Sequence, residues 1–472
     1  MQLGISKSVS KKQKESALIM RKQTKIAAVV SAAALLALGA SMTSFAASKG
    51  TWMMVDGEWY CYDKNGDAYE NVFCSSNGKE YYVGEDGQLV RSEWVEYDGS
   101  YYFVNSSGAK ITNDWRLTTP YDDDSADEDE YWYYLKKTTG KPATGKQSNI
   151  NGQIYLFNNE GQMQHGWVAA TDTNGAKFVQ LDKEDDEKPM GAAGDAAVYY
   201  CGDEDDGHAK KNKWTKTWLP DNTSEEDDDK EWFWFDKDGK LFRGGEKNGS
   251  VTASDAWKYK LDEGTLKKDA DESTGVISKK KVNSKDYWFT KDGVMLSKFY
   301  LINDAMYYFG GSDDGSMKTG SQSIKDNTGD TYKFYFYTKD QATSYKTPNG
   351  DKHGLSKGAG VVGNQGNKLY WYGLQIQADD YKYQVATITI NGTDYSFIVN
   401  SNGTIQHSAN TEYKEDGDVL VKTGAYTKKD KDGKDVVIPT TFVKDGQAKY
   451  AIEDTNTIKK DVIDVDLGKF FQ

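Results

Sequence analysis

Short apolar runs alternate with turn residues along this chain, and between residues 52 and 115 the alternation has a fixed step. Aromatic residues stand at Trp52, Phe73, Trp94 and Trp115, each 21 positions after the last. Gly57, Gly78 and Gly99 keep the same step, as do Gly66, Gly87 and Gly108, and the column Tyr60, Tyr81 and Tyr102. Four columns with one period define a tandem repeat, and a repeat fixes the architecture before any single element is assigned. Within a unit, Trp52-Met53-Met54-Val55 is an apolar run and Glu58-Trp59-Tyr60-Cys61-Tyr62 an aromatic one, with Asp56-Gly57 between them. An Asp-Gly or Asn-Gly pair between two such runs predicts a β-hairpin, because both residues accept positive φ. Asn77-Gly78 and Asp98-Gly99 repeat the signal. The later glycine of each unit turns the chain towards the next. A lone hairpin is marginal in water, so the predicted fold is all-β: tandem β-hairpin repeats stacked as a β-solenoid, with acidic loop insertions.

The pattern also divides the chain. After Trp115 the register breaks at Asp122-Asp123-Asp124 and Asp127-Glu128-Asp129-Glu130, and Tyr131-Trp132-Tyr133-Tyr134 restores it. Asn151-Gly152, Tyr155-Leu156-Phe157 and Gly161 form the next clear unit. Aromatic runs then recur with loops between them, at Tyr199-Tyr200, Trp232-Phe233-Trp234-Phe235, Tyr287-Trp288-Phe289, Tyr307-Tyr308-Phe309, Phe334-Tyr335-Phe336-Tyr337, Tyr370-Trp371-Tyr372 and Tyr395-Ser396-Phe397. Residues 47–170 are therefore regular repeats, 171–405 degenerate repeats with insertions, and 406–472 a C-terminal β-rich tail. In that tail Val419-Leu420-Val421 and Val436-Val437-Ile438 read as strands.

Residues 1–46 have the form of a signal peptide. Arg21, Lys22 and Lys25 precede an apolar run from Ile26 to Leu38, and Ser44-Phe45-Ala46 is a small-x-small cleavage site. The run is short for a bilayer span and no later stretch is longer, so the expectation is an exported chain without a membrane span once the leader is cleaved. Those residues hold seven basic and one acidic residue, so their removal takes the net charge from −14 to −20. A surface this acidic does not seek nucleic acid.

Apolar material is concentrated in aromatics, 13% of the chain with 32 Tyr, while mean hydropathy is −0.78. That suits narrow hairpins, where each ring buries a large area. Cys61, Cys74 and Cys201 are too few for a disulfide scaffold; Cys61 and Cys201 sit at strand positions as small hydrophobes, and a Cys61–Cys74 pairing depends on geometry. The acidic runs lack the Asp-x-Asp-x-Asp-Gly order of a calcium loop and read as solvated insertions, so no metal or cofactor is expected. His165, His208, His353 and His407 are scattered, with neither His-Glu-x-x-His nor Gly-x-Ser-x-Gly present, and the chain is not expected to be an enzyme.

The units resemble the cell-wall-binding repeat family, which includes the choline-binding and glucan-binding repeats of Gram-positive secreted proteins. The family motif runs Gly-Trp, then Gly-x-Trp-Tyr-Tyr, then Gly-x-Met-x-Thr-Gly-Trp. Trp52, Gly57, Trp59-Tyr60 and Gly66 fall at its spacing, Gly161-x-Met163-x-x-Gly166-Trp167 matches its closing half, and Gly315-Ser316-Met317-Lys318-Thr319-Gly320 matches up to Ser321. Phe73 replaces a motif Trp, and Glu80 stands where Trp59 and Tyr101 stand in the flanking units. The resemblance implies ligand sites between successive hairpins, lined by aromatics of both. Ring faces attract quaternary ammonium groups, and the same rings stack on sugars. Candidate ligand contacts are Trp52, Trp59, Trp94, Tyr101, Trp115 and Trp167, each with packing as its alternative. The implied partner is a cell-wall polymer, choline-bearing teichoic acid or another extracellular glycan, held non-covalently, since Pro439-Thr440-Thr441 lacks the flanks of a sorting signal. The other reading is a structural or adhesive surface scaffold meeting a protein partner through its insertions.

Overall fold

The computed structural model describes residues 50–121, 129–172, 176–181, 190, 193–220, 229–245, 251–253, 255–350, 355–424, 426–438, 440–453 and 463–472. The expected signal peptide and most of the acidic insertion after Tyr121 lie outside these residues. The chain divides into two units, Met1–Asp182 with Ala196–Lys210, and Lys183–Asp195 with Lys211–Gln472.

The first unit is built of antiparallel hairpins: β1 (Thr51–Val55) with β2 (Glu58–Tyr62), β3 (Val72–Ser76) with β4 (Lys79–Val83), β5 (Glu93–Tyr97) with β6 (Ser100–Val104), and β7 (Asp114–Thr118) with β8 (Tyr131–Leu135). β9 (Gly145–Ile150) pairs with β10 (Gln153–Phe157), and β11 (Trp167–Ala170) lies between β12 (Phe178–Gln180) and β13 (Val198–Tyr200). The turns are those the dipeptides demand. Asp56 and Gly57 have φ of 49° and 93°, Asn77 and Gly78 52° and 71°, and Asp98 and Gly99 51° and 61°. Two consecutive positive values match the right-handed twist of the strands they join.

Three devices join successive hairpins, the second of them after β2, β6 and β10. The first is backbone. The segment that returns after a hairpin donates to the second strand of the hairpin before it: Leu89 N to Trp59 O (2.9 Å), Lys110 N to Glu80 O (2.7 Å), Met163 N to Trp132 O (2.9 Å) and Ala209 N to Ile154 O (2.8 Å). The second is a side-chain clamp on the return turn. Asp63, Asn105 and Asn158 follow a second strand, and each carboxylate or amide oxygen accepts the backbone N–H four residues on, at 2.8–3.0 Å. Such Asx turns supply locally the bonds that the ladder no longer can.

The third device is steric. Two residues after each turn glycine stands a side chain that rests on the turn glycine of the following hairpin. A Cβ on Gly108 would lie 2.6 Å from Leu89 Cδ1, one on Gly161 2.8 Å from Pro142 Cβ, and one on Gly207 on top of Met163. The series continues inside the second unit, with Leu241 under Gly293, Met295 under Gly315 and Met317 under Gly358.

The second unit begins in the same style and then thickens. β14 (Lys213–Thr217) and β15 (Glu231–Phe235) form a hairpin, with Met295 N donating to Trp232 O at 2.9 Å. Further on the strands join wider sheets. Ala256–Asp262, Thr265–Lys268, Phe299–Ile302 and Ala305–Tyr308 make four strands, and Gly320–Lys325 through Leu374–Ile376 make five. Val419–Val421 and the run before Pro439 lie in strands, Asp418–Lys422 and Asp435–Ile438, as expected. The packing here is thicker than the ring-on-ring contacts between the hairpins of the first unit. Phe299, Phe334, Ile388, Phe397, Val399, Ala451 and Val465 share one buried cluster, so residues on both sides of the 405/406 boundary pack together. Phe471 stacks on Tyr372, with ring centroids 4.4 Å apart, and on Tyr259 at 5.2 Å. Long strands rich in Ile and Val, such as Tyr383–Ile390, offer continuous aliphatic faces that a lone hairpin cannot cover, and wider sheets result. Cys61, Cys74 and Cys201 are buried free thiols.

The steric device predicts the cost of breaking it. Gly108→Ala adds a Cβ where φ is +81° and Leu89 already stands, and is expected to destabilise the chain by about 1–3 kcal/mol, seen as a lower Tm. Gly99→Ala, with open space around it, pays only the conformational penalty and is expected to fall less. Equal losses at the two sites would contradict the packing argument.

Candidate functional site: aromatic gaps between hairpins

The hairpin register sets the rings in columns. The first strand of each unit places one aromatic against the second strand, with Trp52 opposite Cys61, Phe73 opposite Tyr82, Trp94 opposite Phe103, Trp115 opposite Tyr134 and Trp214 opposite Trp234. Two positions earlier on the second strand stand Trp59, Glu80, Tyr101, Trp132 and Trp232. A tyrosine of the following hairpin meets the first-strand ring edge-on or tilted. Centroid distances are 5.8 Å for Trp52–Tyr81, 5.3 Å for Phe73–Tyr102, 5.0 Å for Trp94–Tyr133, 4.8 Å for Trp115–Tyr155 and 4.8 Å for Trp214–Tyr287. Tyr81 and Tyr102 of the Tyr60, Tyr81 and Tyr102 column are thus walls between successive hairpins, with Tyr102 buried and Tyr81 half-buried.

At these five interfaces the hairpins therefore frame a gap with three walls and a floor. The floor is the side chain two positions after the turn glycine of the second hairpin: Leu89, Lys110, Pro142 and Met163 in the first unit and Met295 in the second. In the fourth gap, Trp115 and Trp132 stand nearly perpendicular (86°, centroids 6.4 Å apart), with Tyr155 as third wall. All three are half-buried and pack against the cluster that contains Met163. One side of Trp115 is taken up by Phe157, stacked at 5.8 Å. The second unit repeats this arrangement: Trp214, Trp232 and Tyr287 in the same register, Met295 in the same cluster, and Trp214 stacked on Phe289 at 5.8 Å.

Of the residues singled out from the sequence, Trp115 lies in this fourth gap. Trp52 and Trp59 are half-buried walls of the first gap with Tyr81, and the Trp52 Nε1 is buried without a hydrogen-bond partner. Trp94 and Tyr101 belong to the third gap, which a ring of the chain itself fills. Tyr121 stacks on Tyr101 at 4.2 Å and meets Trp94 at 5.2 Å, while Trp94 Nε1 donates to the Thr119 carbonyl at 3.0 Å. Trp167 is buried and packs on Tyr200 at 5.0 Å, within its own sheet. The sequence reading missed Trp132, Tyr155, Trp214, Trp232 and Tyr287. A signal for Trp214 was present: it precedes an acidic insertion, Trp232-Phe233-Trp234-Phe235 and Gly239, the order in which Trp115 precedes its insertion, Trp132-Tyr133-Tyr134-Leu135 and Gly140.

Electrostatics orient the second-unit gap. Asp313 accepts from Trp232 Nε1 at 2.9 Å and from Lys216 Nζ at 2.8 Å, and Lys216 Nζ lies 6.0 Å from the Trp232 ring centroid. Among the described residues no group of three or more His, Cys, Asp or Glu is placed to hold a metal ion, and no helix is long and apolar enough to cross a membrane.

No family model matches the chain, and no curated protein matches it. Among solved structures it is similar to the modular autolysin LytC from Streptococcus pneumoniae in complex with a synthetic peptidoglycan ligand. The TM-score there is 0.34 at 17% identity, covering 71% of this chain and 54% of that one, so the chain spans about half the length of that autolysin. It is also similar to the choline-binding domain of CbpL from the same organism (TM-score 0.30, 20% identity, 57% of this chain and 96% of that one). A third is pneumococcal choline binding protein F (TM-score 0.23, 17% identity, 70% and 99%). At TM-scores this low the likeness adds nothing to the geometry above.

The Asp313 contact gives a pH prediction. Hydrogen bonds from Lys216 and then Trp232 hold the Asp313 carboxyl below its usual value. Its orienting effect is therefore complete above the ordinary aspartate value of about 3.9 and is lost as pH falls through the lower folded value. Acidification below about pH 4 is expected to alter the near-UV circular dichroism of Trp232. Asp313→Asn should show the altered signal already at neutral pH. An acid transition unchanged in Asp313→Asn would show that this contact does not set the ring.

Proposed function

We propose that this chain is a non-catalytic, exported surface protein that binds cell-wall polymer through the gaps between its hairpins, with a quaternary ammonium such as teichoic-acid choline as the group each open gap takes. The observation that carries the reading is the recurrence of one cage: Trp115, Trp132 and Tyr155 in the first unit, and Trp214, Trp232 and Tyr287 in the second. Both have the same register, the same 4.8 Å Trp–Tyr approach and a methionine floor. A tryptophan is dear in a small core. Two indoles and a phenol left half-buried around one gap suit a cation that needs ring faces and no hydrogen bonds. Each face contributes about 0.5–2 kcal/mol, so one gap binds weakly, and several gaps on one polymer add avidity. The net charge of −20 left once residues 1–46 are removed favours a cationic group over an anionic one near the surface.

The test is binding of the purified chain to Gram-positive cell walls, with choline or soluble glucan as eluant, and a choline titration of Trp115→Ala and Trp214→Ala. Each variant is expected to keep its far-UV spectrum and to lose one equivalent of bound choline. Elution by glucan alone would reassign the rings to sugar stacking. Absence of wall binding would overturn the reading in favour of an adhesive scaffold with a protein partner.

A further inference from the structure

The second gap differs in kind from its neighbours. Phe73 takes the place of the first-strand tryptophan, and Tyr102 is the following hairpin's wall. The remaining wall is Glu80, at the position held by Trp59, Tyr101 and Trp132 in other units. The floor is Lys110, where the neighbouring gaps have Leu89 and Pro142. Its ammonium lies over both rings, 5.0 Å from the Phe73 centroid and 5.2 Å from the Tyr102 centroid, and forms an ion pair with Glu80. The Lys110 side chain is only 13% exposed. Its stem continues the steric series, with Cε 3.3 Å from where a Cβ on Gly140 would stand.

We propose that the gap between the second and third hairpins is an organic-ammonium site that the chain fills with its own Lys110. This rests on the reading of the open gaps as ammonium cages. Two ring faces and a carboxylate converge on one point, which is the chemistry that selects a cation, and a cation from the chain already stands there. A tethered ammonium competes at a high effective concentration and, ion-paired with Glu80, carries N–H groups that a trimethylammonium group lacks. Free choline at ordinary concentrations therefore does not displace it. Lys110→Ala removes the stem and the ammonium, a volume close to that of a trimethylammonium head, and leaves Phe73, Tyr102 and Glu80 to receive one.

The experiment is equilibrium dialysis of choline against the full chain, its Lys110→Ala variant and the double variant Lys110→Ala/Glu80→Gln, with far-UV circular dichroism on each. Lys110→Ala is expected to bind one more equivalent of choline than the unaltered chain. Loss of the Glu80 charge should weaken that added site by on the order of tenfold. Lys110→Ser serves in its place if the alanine variant loses its β spectrum. A folded lysine variant with unchanged stoichiometry, beside an unaltered chain that binds choline, overturns this inference and leaves the proposed function standing. Choline binding by the lysine variant alone overturns the open-gap reading and keeps the inference. Binding by neither overturns both.

Discussion

The contact on which the rest depends is the seat of one hairpin's floor residue on the turn glycine of the next. A two-stranded hairpin cannot bury enough surface to stand alone, so its stability is that of its interface with its neighbours. That interface has a backbone bond, a ring edge against a tyrosine, and a side chain resting on a glycine. The glycine is needed twice. It must accept positive φ to return the chain, and it must carry no Cβ, because Leu89, Pro142 and Met163 occupy that space. Insertions are accordingly tolerated elsewhere. In sequence the acidic segments follow Thr118 and Thr217, between the two strands of a hairpin, and the Trp115–Tyr134 and Trp214–Trp234 registers are intact.

The hairpins and their turns were legible because their signals are local. Asp56-Gly57 and its repeats specify a turn within two residues, and a fixed period copies the result. The Asx clamps at Asp63, Asn105 and Asn158 are equally local, each side chain four residues ahead of the N–H it accepts. The thick core of the second unit was not legible. It forms where Ile388 and Phe397 meet Val465, and where Phe471 reaches Tyr372, contacts between residues far apart in sequence that no period connects. The same limit applies to the gaps. Trp115 can be named from one unit, but Tyr155 becomes its partner only when the interval from one first strand to the next, lengthened by an insertion inside the hairpin, is known.

The departures at Glu80 and Lys110 explain each other. Either alone would be costly. A lysine at the floor of an aromatic gap would lose much of its hydration with only ring faces in return, and a glutamate in a tryptophan column would face the rings without a counter-charge. Together they form one ion pair over two rings, so that each charge has its partner. The third gap reaches the same end by another route, with Tyr121 from the chain after β7 stacked on Tyr101. A repeat interface must be filled by something, because an empty apolar slot forfeits the contacts on which stacking relies. The hairpins thus show two outcomes in their gaps: half-buried rings with no such filling side chain over them among the described residues, as at Trp115 with Trp132 and Trp214 with Trp232, or a filling supplied from within, as at Lys110 and Tyr121. Under the proposed function, the number of open gaps is set less by how many tryptophans recur than by what stands two residues after the turn glycine and what the nearest loop brings over it.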